Sequence, residues 1–327
     1  MTSARFGTLP DSRTVEAIEL RSDGLQARIL TLGAALQDLR LDGVAHSLTL
    51  GSGHLGAYLG PMRFCGTIVG PVANRIGGAR ATVADRQIRL QANDGANCLH
   101  SGDDGLHAQL WQVEAQSTAS VTLGCALPDG LGGFPGNRKV TAHWALDGAT
   151  LTLRIHALSD APTLMNPASH SLWTLTGAPE LTGHVLWVDA ARYLPTDRDT
   201  LPVAAPAPVA GRFDLRAGRA LEAGVVFDHN WCLADAPRPL ATAARLQGGG
   251  LEMVLETTAP GLQVYTGDGV TSGAFTGHDG QPVGSRAGVA LEPQCWPDAP
   301  GRAGFPTIRL DPGQCFEQGT RWTFRRL

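Results

Sequence analysis

The sequence predicts an all-β sandwich with few short helices, and three observations predict it. Short β-branched or alternating apolar stretches recur along the chain, Asp-Gly pairs fall between them at hairpin-like spacing, and 41 glycines and 21 prolines are spread throughout. Long helices are disfavoured by that last feature. The 327 residues suffice for one large domain or two ordinary ones.

Residues 14–20 (TVEAIEL) and 25–41, broken by Asp23-Gly24 and Gly33, read as consecutive antiparallel strands. The pattern recurs at 81–90, 119–127, 140–146, 150–158 and 251–256, with turn signals at Asp42-Gly43, Asp129-Gly130 and Asp147-Gly148. Only 217–223 and 241–246 read as short helical turns. The stretch 200–211 (TLPVAAPAPVAG) has the composition of a linker. Strand-like segments of one character flank it, so it is expected to be a long loop inside a single domain spanning 1–327.

Composition narrows the partners. A net charge of −4, from 26 Lys+Arg and 30 Asp+Glu, offers no basic face for nucleic acid. The first residues lack a signal peptide's charged start and apolar core, and no apolar run approaches the ~18 residues of a membrane span. A soluble cytoplasmic protein with a small neutral partner is expected. The six cysteines show no CxxC pair and read mostly as reduced, buried, small hydrophobes.

The stretch 286–297 (RAGVALEPQCWP) reads as a buried strand ending in a carboxylate. Glu292 falls on the face opposite Val289 and Leu291, and Pro293 is expected to end the pairing just beyond it. A turn carrying Trp296 follows. Other polar clusters keep it company. The stretch 66–80 (GTIVGPVANRIGGAR) has phosphate-loop glycines but no GK[ST], leaving Asn74 and Arg75 as its chemical members. A guanidinium there suits hydroxyls or a developing oxyanion. In 91–102 (QANDGANCLHSG), His100 sits at a loop edge. His107 follows seven residues on, without an acidic or Cys partner at ligand spacing, so no metal is assigned.

In 129–137 (DGLGGFPGN), Phe134 is a candidate wall. In 162–177 (PTLMNPASHSLWTLTG), a strand puts His170 and Leu172 on one face and Trp173 on the other. Asp228, Asn230 and Trp231 in FDHNWCL form a set suited to a sugar: carboxylate and amide for hydroxyls, indole for an apolar ring face. Each residue alone also has a structural reading: Glu292 as a solvated strand end, Arg75 as an ion-pair partner, His100 as a surface histidine, His170 as a core imidazole. No Gly-x-Ser-x-Gly elbow supplies a hydrolase nucleophile.

Taken together, the motifs resemble a known family. ANRI at 73–76, NDGANCLH at 93–100, GFPGN at 133–137, MNPASHS at 165–171, FDHN at 227–230, PGLQVYTGD at 260–268 and LEPQCWPD at 291–298 occur in the order seen in aldose 1-epimerases, the galactose mutarotases. The resemblance implies a single-domain galactose-mutarotase-like β-supersandwich with a sugar site in an open groove. It implies Glu292 as general base and His170 as general acid, with His100, Arg75 and Asp228 binding substrate and Asn74 and Gln263 beside them. The chain departs from the family at Ser169 (usually Asn), at Leu172-Trp173-Thr174 (usually Tyr-Phe-Asn), at Ser101 (usually Gly) and at Gly301 (commonly Asn). These departures bear on which sugar is bound.

Mutarotation opens a cyclic hemiacetal, turns the C1–C2 bond and recloses the ring. It needs a base at the C1 hydroxyl and an acid at the ring oxygen, and no cofactor or metal. The same parts suit two other readings: interconversion of five- and six-membered sugar lactones, with Glu292 deprotonating a chain hydroxyl, or a non-catalytic carbohydrate-binding protein. The expected partner is a small sugar or sugar lactone, with no nucleic acid or membrane, and the chain a monomer or homodimer.

Overall fold

The computed structural model describes residues 3–327, and antiparallel strands make up most of its regular structure. Alternation in the sequence sets the layers. In the hairpin of Arg138–Asp147 and Thr150–Ser159, Val140, Ala142, Trp144 and Leu146 stand opposite Ala157, Ile155, Leu153 and Leu151 on one buried face, while Lys139 and Arg154 point to solvent. The turn between them uses Gly148 at φ 53°, a left-handed conformation that glycine adopts without strain.

That hairpin lies in a nine-stranded sheet. Its spatial order is Gln112–Gln116, Ser120–Leu127, Arg138–Asp147, Thr150–Ser159, Phe316–Arg326, Leu251–Thr257, Ala241–Gly248, Val185–Val188 and Arg219–Ala220. A four-stranded meander (Ser3–Thr8, Thr14–Arg21, Leu25–Leu30, Leu36–Leu41) and a six-stranded sheet complete the main layers. The six-stranded sheet runs Leu172–Trp173, Val289–Gln294, Gly261–Tyr265, Asp228–Cys232, Arg192–Tyr193 and Ala207–Pro208. One apolar core draws side chains from all three. Trp322 meets Trp144 of its own sheet at 6.1 Å and Trp173 of the six-stranded sheet at 5.5 Å, so aromatic rings join the layers. Helix among the described residues is confined to the four-residue Leu55–Tyr58 and short 3₁₀ turns. Among the described residues, no helix is long and apolar enough to cross a membrane.

The six-stranded sheet positions the chemistry. Trp231, Leu262, Val264, Val289 and Leu291 enter the core, and the two-residue period sends Asp228, Gln263, Tyr265 and Glu292 to the other face. Register brings them together there: Asp228 lies opposite Tyr265, and Gln263 opposite Glu292.

Several sequence expectations need correction. Pairing does not stop beyond Glu292: Pro293 stands opposite Leu262 and Gln294 opposite Gly261. Proline is tolerated because the ladder to Leu172–Trp173 ends at Ala290, leaving Pro293 paired on one side only. The alanine-rich 241–246 is no helical turn but part of Ala241–Gly248, whose partner Leu251–Thr257 and bulge between Thr242 and Ala244 override helical propensity. The stretch 217–223 likewise holds the strand Arg219–Ala220. Residues 81–90 are a hairpin, Arg80–Val83 with Arg86–Arg89, turning at Ala84 with φ 51°. The loop 200–211 carries the short strand Ala207–Pro208 on Arg192–Tyr193.

Candidate active site

Two loop-rich segments meet over the polar face of the six-stranded sheet. Ile68–Val69 pairs with Ala168–Ser169, and the residue after that short strand is His170. Its backbone is fixed at both ends: the His170 N–H donates to the Thr67 carbonyl at 2.9 Å, and its own carbonyl accepts from Gly66 N–H at 3.0 Å. Gly66 has φ 71°, and a Cβ there would stand 2.2 Å from the Leu36 carbonyl oxygen, so only glycine lets the chain pass. Leu172 follows on the cleft side and Trp173 enters the core, as the strand period predicts.

His170 Nε2 lies 3.8 Å from Glu292 Oε1, and both side chains are almost fully buried. The second carboxylate oxygen of Glu292 and His170 Nδ1 have no protein partner. Burial pushes the Glu292 carboxyl above its ordinary value of 4.5; His170 opposes the shift, Asp228 adds to it and Arg75 opposes it. A raised pKa makes the ionised carboxylate a stronger proton acceptor than an exposed one.

Arg75 and His100 come from the paired short strands Arg75–Ile76 and Cys98–Leu99. The Arg75 guanidinium donates from Nε to Asp94 Oδ2 at 2.6 Å and from Nη1 to Asp228 Oδ2 at 3.4 Å. Asp228 also accepts from Gln263 Nε2 at 2.6 Å, through its other oxygen. The ion-pair reading of Arg75 is met, and the same side chain, held by carboxylates, lines the cleft. Asn74, at φ 60°, sends its backbone N–H to His100 Nδ1 at 3.1 Å and its side-chain oxygen to Arg75 N–H at 2.9 Å. Because His100 Nδ1 accepts, the ring proton sits on Nε2. Burial, then His170, His107, Arg75 and Arg63, hold the His100 imidazole well below its ordinary 6.5. His100 is therefore a neutral donor.

Beside these groups lies an open cleft of about 200 Å³, walled by Phe64, Leu172, Tyr265 and Val270 as well as Asn74, Arg75, His100, His170 and Asp228. Phe64, Asp94 and Tyr265 were missed by sequence reasoning. Tyr265 had a signal, being two residues from Gln263 on one strand face. Phe64 and Asp94 had none.

The expected sugar platform is wrong. Trp231 is fully buried and its Nε1–H donates to the Phe213 carbonyl at 3.0 Å, because the strand that turns Asp228 toward the cleft turns its third neighbour into the core. Asn230 is likewise buried and lies outside the cleft lining. Phe134 is a core residue packed with Val72 and Ile88 rather than a wall. Trp296 is buried, donating to the Pro260 carbonyl at 3.2 Å. His107 packs on Phe64 at a ring separation of 4.7 Å, and burial brings it down to about 4. The trio of ligand-type side chains within 4.8 Å of one another, His156, Cys315 and Glu317, is exposed and does not line the cleft. All six cysteines are free, and only Cys315 is exposed.

Two of the departures from the family pattern make hydrogen bonds of their own. Ser101, at φ 68°, uses its hydroxyl to bridge both backbone groups of Val72. Ser169 meets Ser171 at 3.0 Å.

Comparison with known proteins places this arrangement. The sequence matches the family described as aldose 1-epimerase over residues 16–323. It is 35% identical to the galactose mutarotase of Rattus norvegicus, with 99% of this chain and 98% of the relative aligned. With the aldose 1-epimerase of Escherichia coli K12 it shares 28% identity over 96% of each chain. Among solved structures, an aldose epimerase homologue from C. elegans superposes with a TM-score of 0.89 at 27% identity, covering 95% of this chain and 99% of that one. The galactose 1-epimerase of Lactobacillus acidophilus gives 0.85 at 26%, covering 99% and 98%. The β-supersandwich is common to them, and nothing in these likenesses favours the lactone or the non-catalytic reading.

Proposed function

We propose, from the premise that this chain belongs to the aldose 1-epimerase family and is an isomerase interconverting the α and β anomers of a free sugar, that Glu292 is its general base and His170 its general acid. The observation that carries the assignment is the buried His170–Glu292 pair, 3.8 Å apart, at an open polar cleft. The two oxygens that must exchange protons are both bonded to C1 of the sugar, so base and acid have to converge on neighbouring points. Glu292 takes the proton of the C1 hydroxyl while His170 protonates the ring oxygen, and the C1–O5 bond breaks to give the open aldehyde. Rotation about C1–C2 and the reverse transfers close the other anomer. Each transfer contributes roughly 10²–10⁴-fold.

Arg75, Asp228 and Gln263 form one hydrogen-bonded network suited to sugar hydroxyls, and His100 Nε2–H adds a neutral donor that stabilises charge developing on oxygen. Asn74 orients both His100 and Arg75 through the bonds described above. The chain is read as a single domain over 1–327, acting as a monomer or a homodimer. The free thiols suit a cytoplasmic setting. Galactose is the first sugar to test, given the names of the relatives. Saturation-transfer NMR across a panel of aldoses and sugar lactones measures anomer exchange and ring migration directly. Exchange in galactose or another aldose, lost in Glu292→Gln, supports the assignment; ring migration without anomer exchange would overturn it.

A further inference from the structure

We propose that Asp298 is a positioning residue for Arg75, making the segment that carries the base also the clamp on the substrate-binding guanidinium; the inference rests on the role given to Arg75 above. Asp298 is buried and left-handed, with φ 57°. Its backbone N–H donates to the Arg75 carbonyl at 3.0 Å. Its Oδ1 accepts from Gly77 N–H at 2.9 Å, and its Oδ2 accepts from Arg302 Nε at 2.8 Å. The turn that leaves Arg75 is therefore gripped at residue 75 by the Asp298 main chain and at residue 77 by its side chain.

Asp298 is tied in turn to the catalytic strand. Between it and Glu292, Cys295 N–H donates to Asn166 Oδ1 at 2.7 Å and Trp296 Nε1–H to the Pro260 carbonyl at 3.2 Å, so the connecting segment has little freedom. Movement of this segment relative to the Arg75 turn changes the distance between base and guanidinium. Asp298 does not line the cleft and touches no reacting atom, so its effect on turnover passes through Arg75.

The substitutions separate hydrogen bond, charge and backbone conformation. Asp298→Gly keeps the left-handed backbone but removes the carboxylate; Asp298→Asn keeps the Oδ1 acceptor for Gly77 and gives up the charge and the acceptor that face Arg302. Arg302→Ala breaks the outer ion pair alone. Initial rates by polarimetry, with circular dichroism and thermal melts on each variant, give KM and kcat separately. Asp298→Gly is expected to lower kcat/KM roughly ten- to a hundredfold, mainly through KM, with Asp298→Asn and Arg302→Ala close to wild type. The Asp298→Gly/Arg75→Ala double variant is expected to be no worse than Arg75→Ala, because residues acting through one group are not additive.

Losses that multiply in the double variant, or an Asp298→Asn as impaired as Asp298→Gly, would overturn the positioning role while leaving Arg75 in place. A wild-type kcat/KM in Arg75→Ala would sink the substrate-binding role and this inference with it. If Asp298→Gly melts too low to assay, Asp298→Ser, whose shorter side chain loosens the bond from Gly77 N–H, and its cycle with Arg75→Ala test the same grip. Losses that multiply in that cycle would also overturn the proposal.

Discussion

Replacing Glu292 with glutamine is expected to abolish turnover and to change how stability depends on pH. The amide keeps the shape of the carboxylate but accepts no proton, so kcat should fall roughly 10²–10⁴-fold. Burial raises this carboxyl above its ordinary 4.5, with His170 and Arg75 opposing and Asp228 adding. A folded-state value above the unfolded one means that the native protein binds this proton more tightly than the unfolded chain does. The stability contributed is complete below the unfolded value and is lost as pH rises through the folded one. Glutamine removes the titration, so the melting temperature of Glu292→Gln relative to wild type should climb as pH goes from about 4 to about 7.5. Each tenfold difference in proton affinity corresponds to about 1.4 kcal/mol. At about 2.1 cal/mol/K per residue, 327 residues unfold with an entropy near 0.7 kcal/mol/K, so that energy appears as about 2 °C. Any constant cost of the new amide drops out, because the comparison is between two pH values. Melts of both proteins at each pH, beside polarimetric rates, give the answer. A gap that stays flat or reverses would refute the desolvated carboxylate, and a kcat within tenfold of wild type would remove Glu292 from the base role.

Three further outcomes follow from the site. His170→Asn should lower kcat roughly 10²–10⁴-fold while sugar still binds; a kcat within tenfold of wild type would mean that another group supplies the proton. His100→Gln should raise KM without changing how the rate depends on pH around neutrality, since His100, held far below its ordinary value, is already neutral there; a changed pH dependence would show that His100 titrates in catalysis. Trp231→Phe should cost roughly 1–3 kcal/mol, because the Phe213 carbonyl loses its donor, with KM unchanged; a raised KM would restore the indole to the sugar site.

Much of this was legible in the sequence because the face of a strand follows from counting by two. Glu292 opposite Val289 and Leu291, and Leu172 opposite Trp173, were placed that way, and the strands of the central hairpin differed from their reading by a few residues at most. The motif resemblance pointed to His100, His170, Arg75, Asp228 and Gln263, which no periodicity reveals; the first four line one cleft, and Gln263 is hydrogen-bonded to Asp228 beside it. Reasoning by neighbourhood failed where residues adjacent in sequence were assumed to act together. Asp228 and Trp231 are three apart on one strand, and an odd spacing sends them to opposite faces. Phe64 and Asp94 were invisible because each meets the site only through long-range contact, Asp94 by reaching Arg75 from another loop. The alanine-rich 241–246 misled because its propensity is local while its fate is set by the strand beside it.

Phe316–Arg326 lies between Thr150–Ser159 and Leu251–Thr257 in the middle of the nine-stranded sheet. Both neighbours are distant in the chain, so the pairing has high contact order and a slow approach. Until it forms, two strands that end as interior ones each present a bare row of backbone donors and acceptors. A half-assembled molecule therefore carries a gap that fits a strand from another copy as readily as its own. Recovery of the native protein from denaturant becomes a race between an intramolecular insertion, indifferent to dilution, and an intermolecular one that accelerates with concentration.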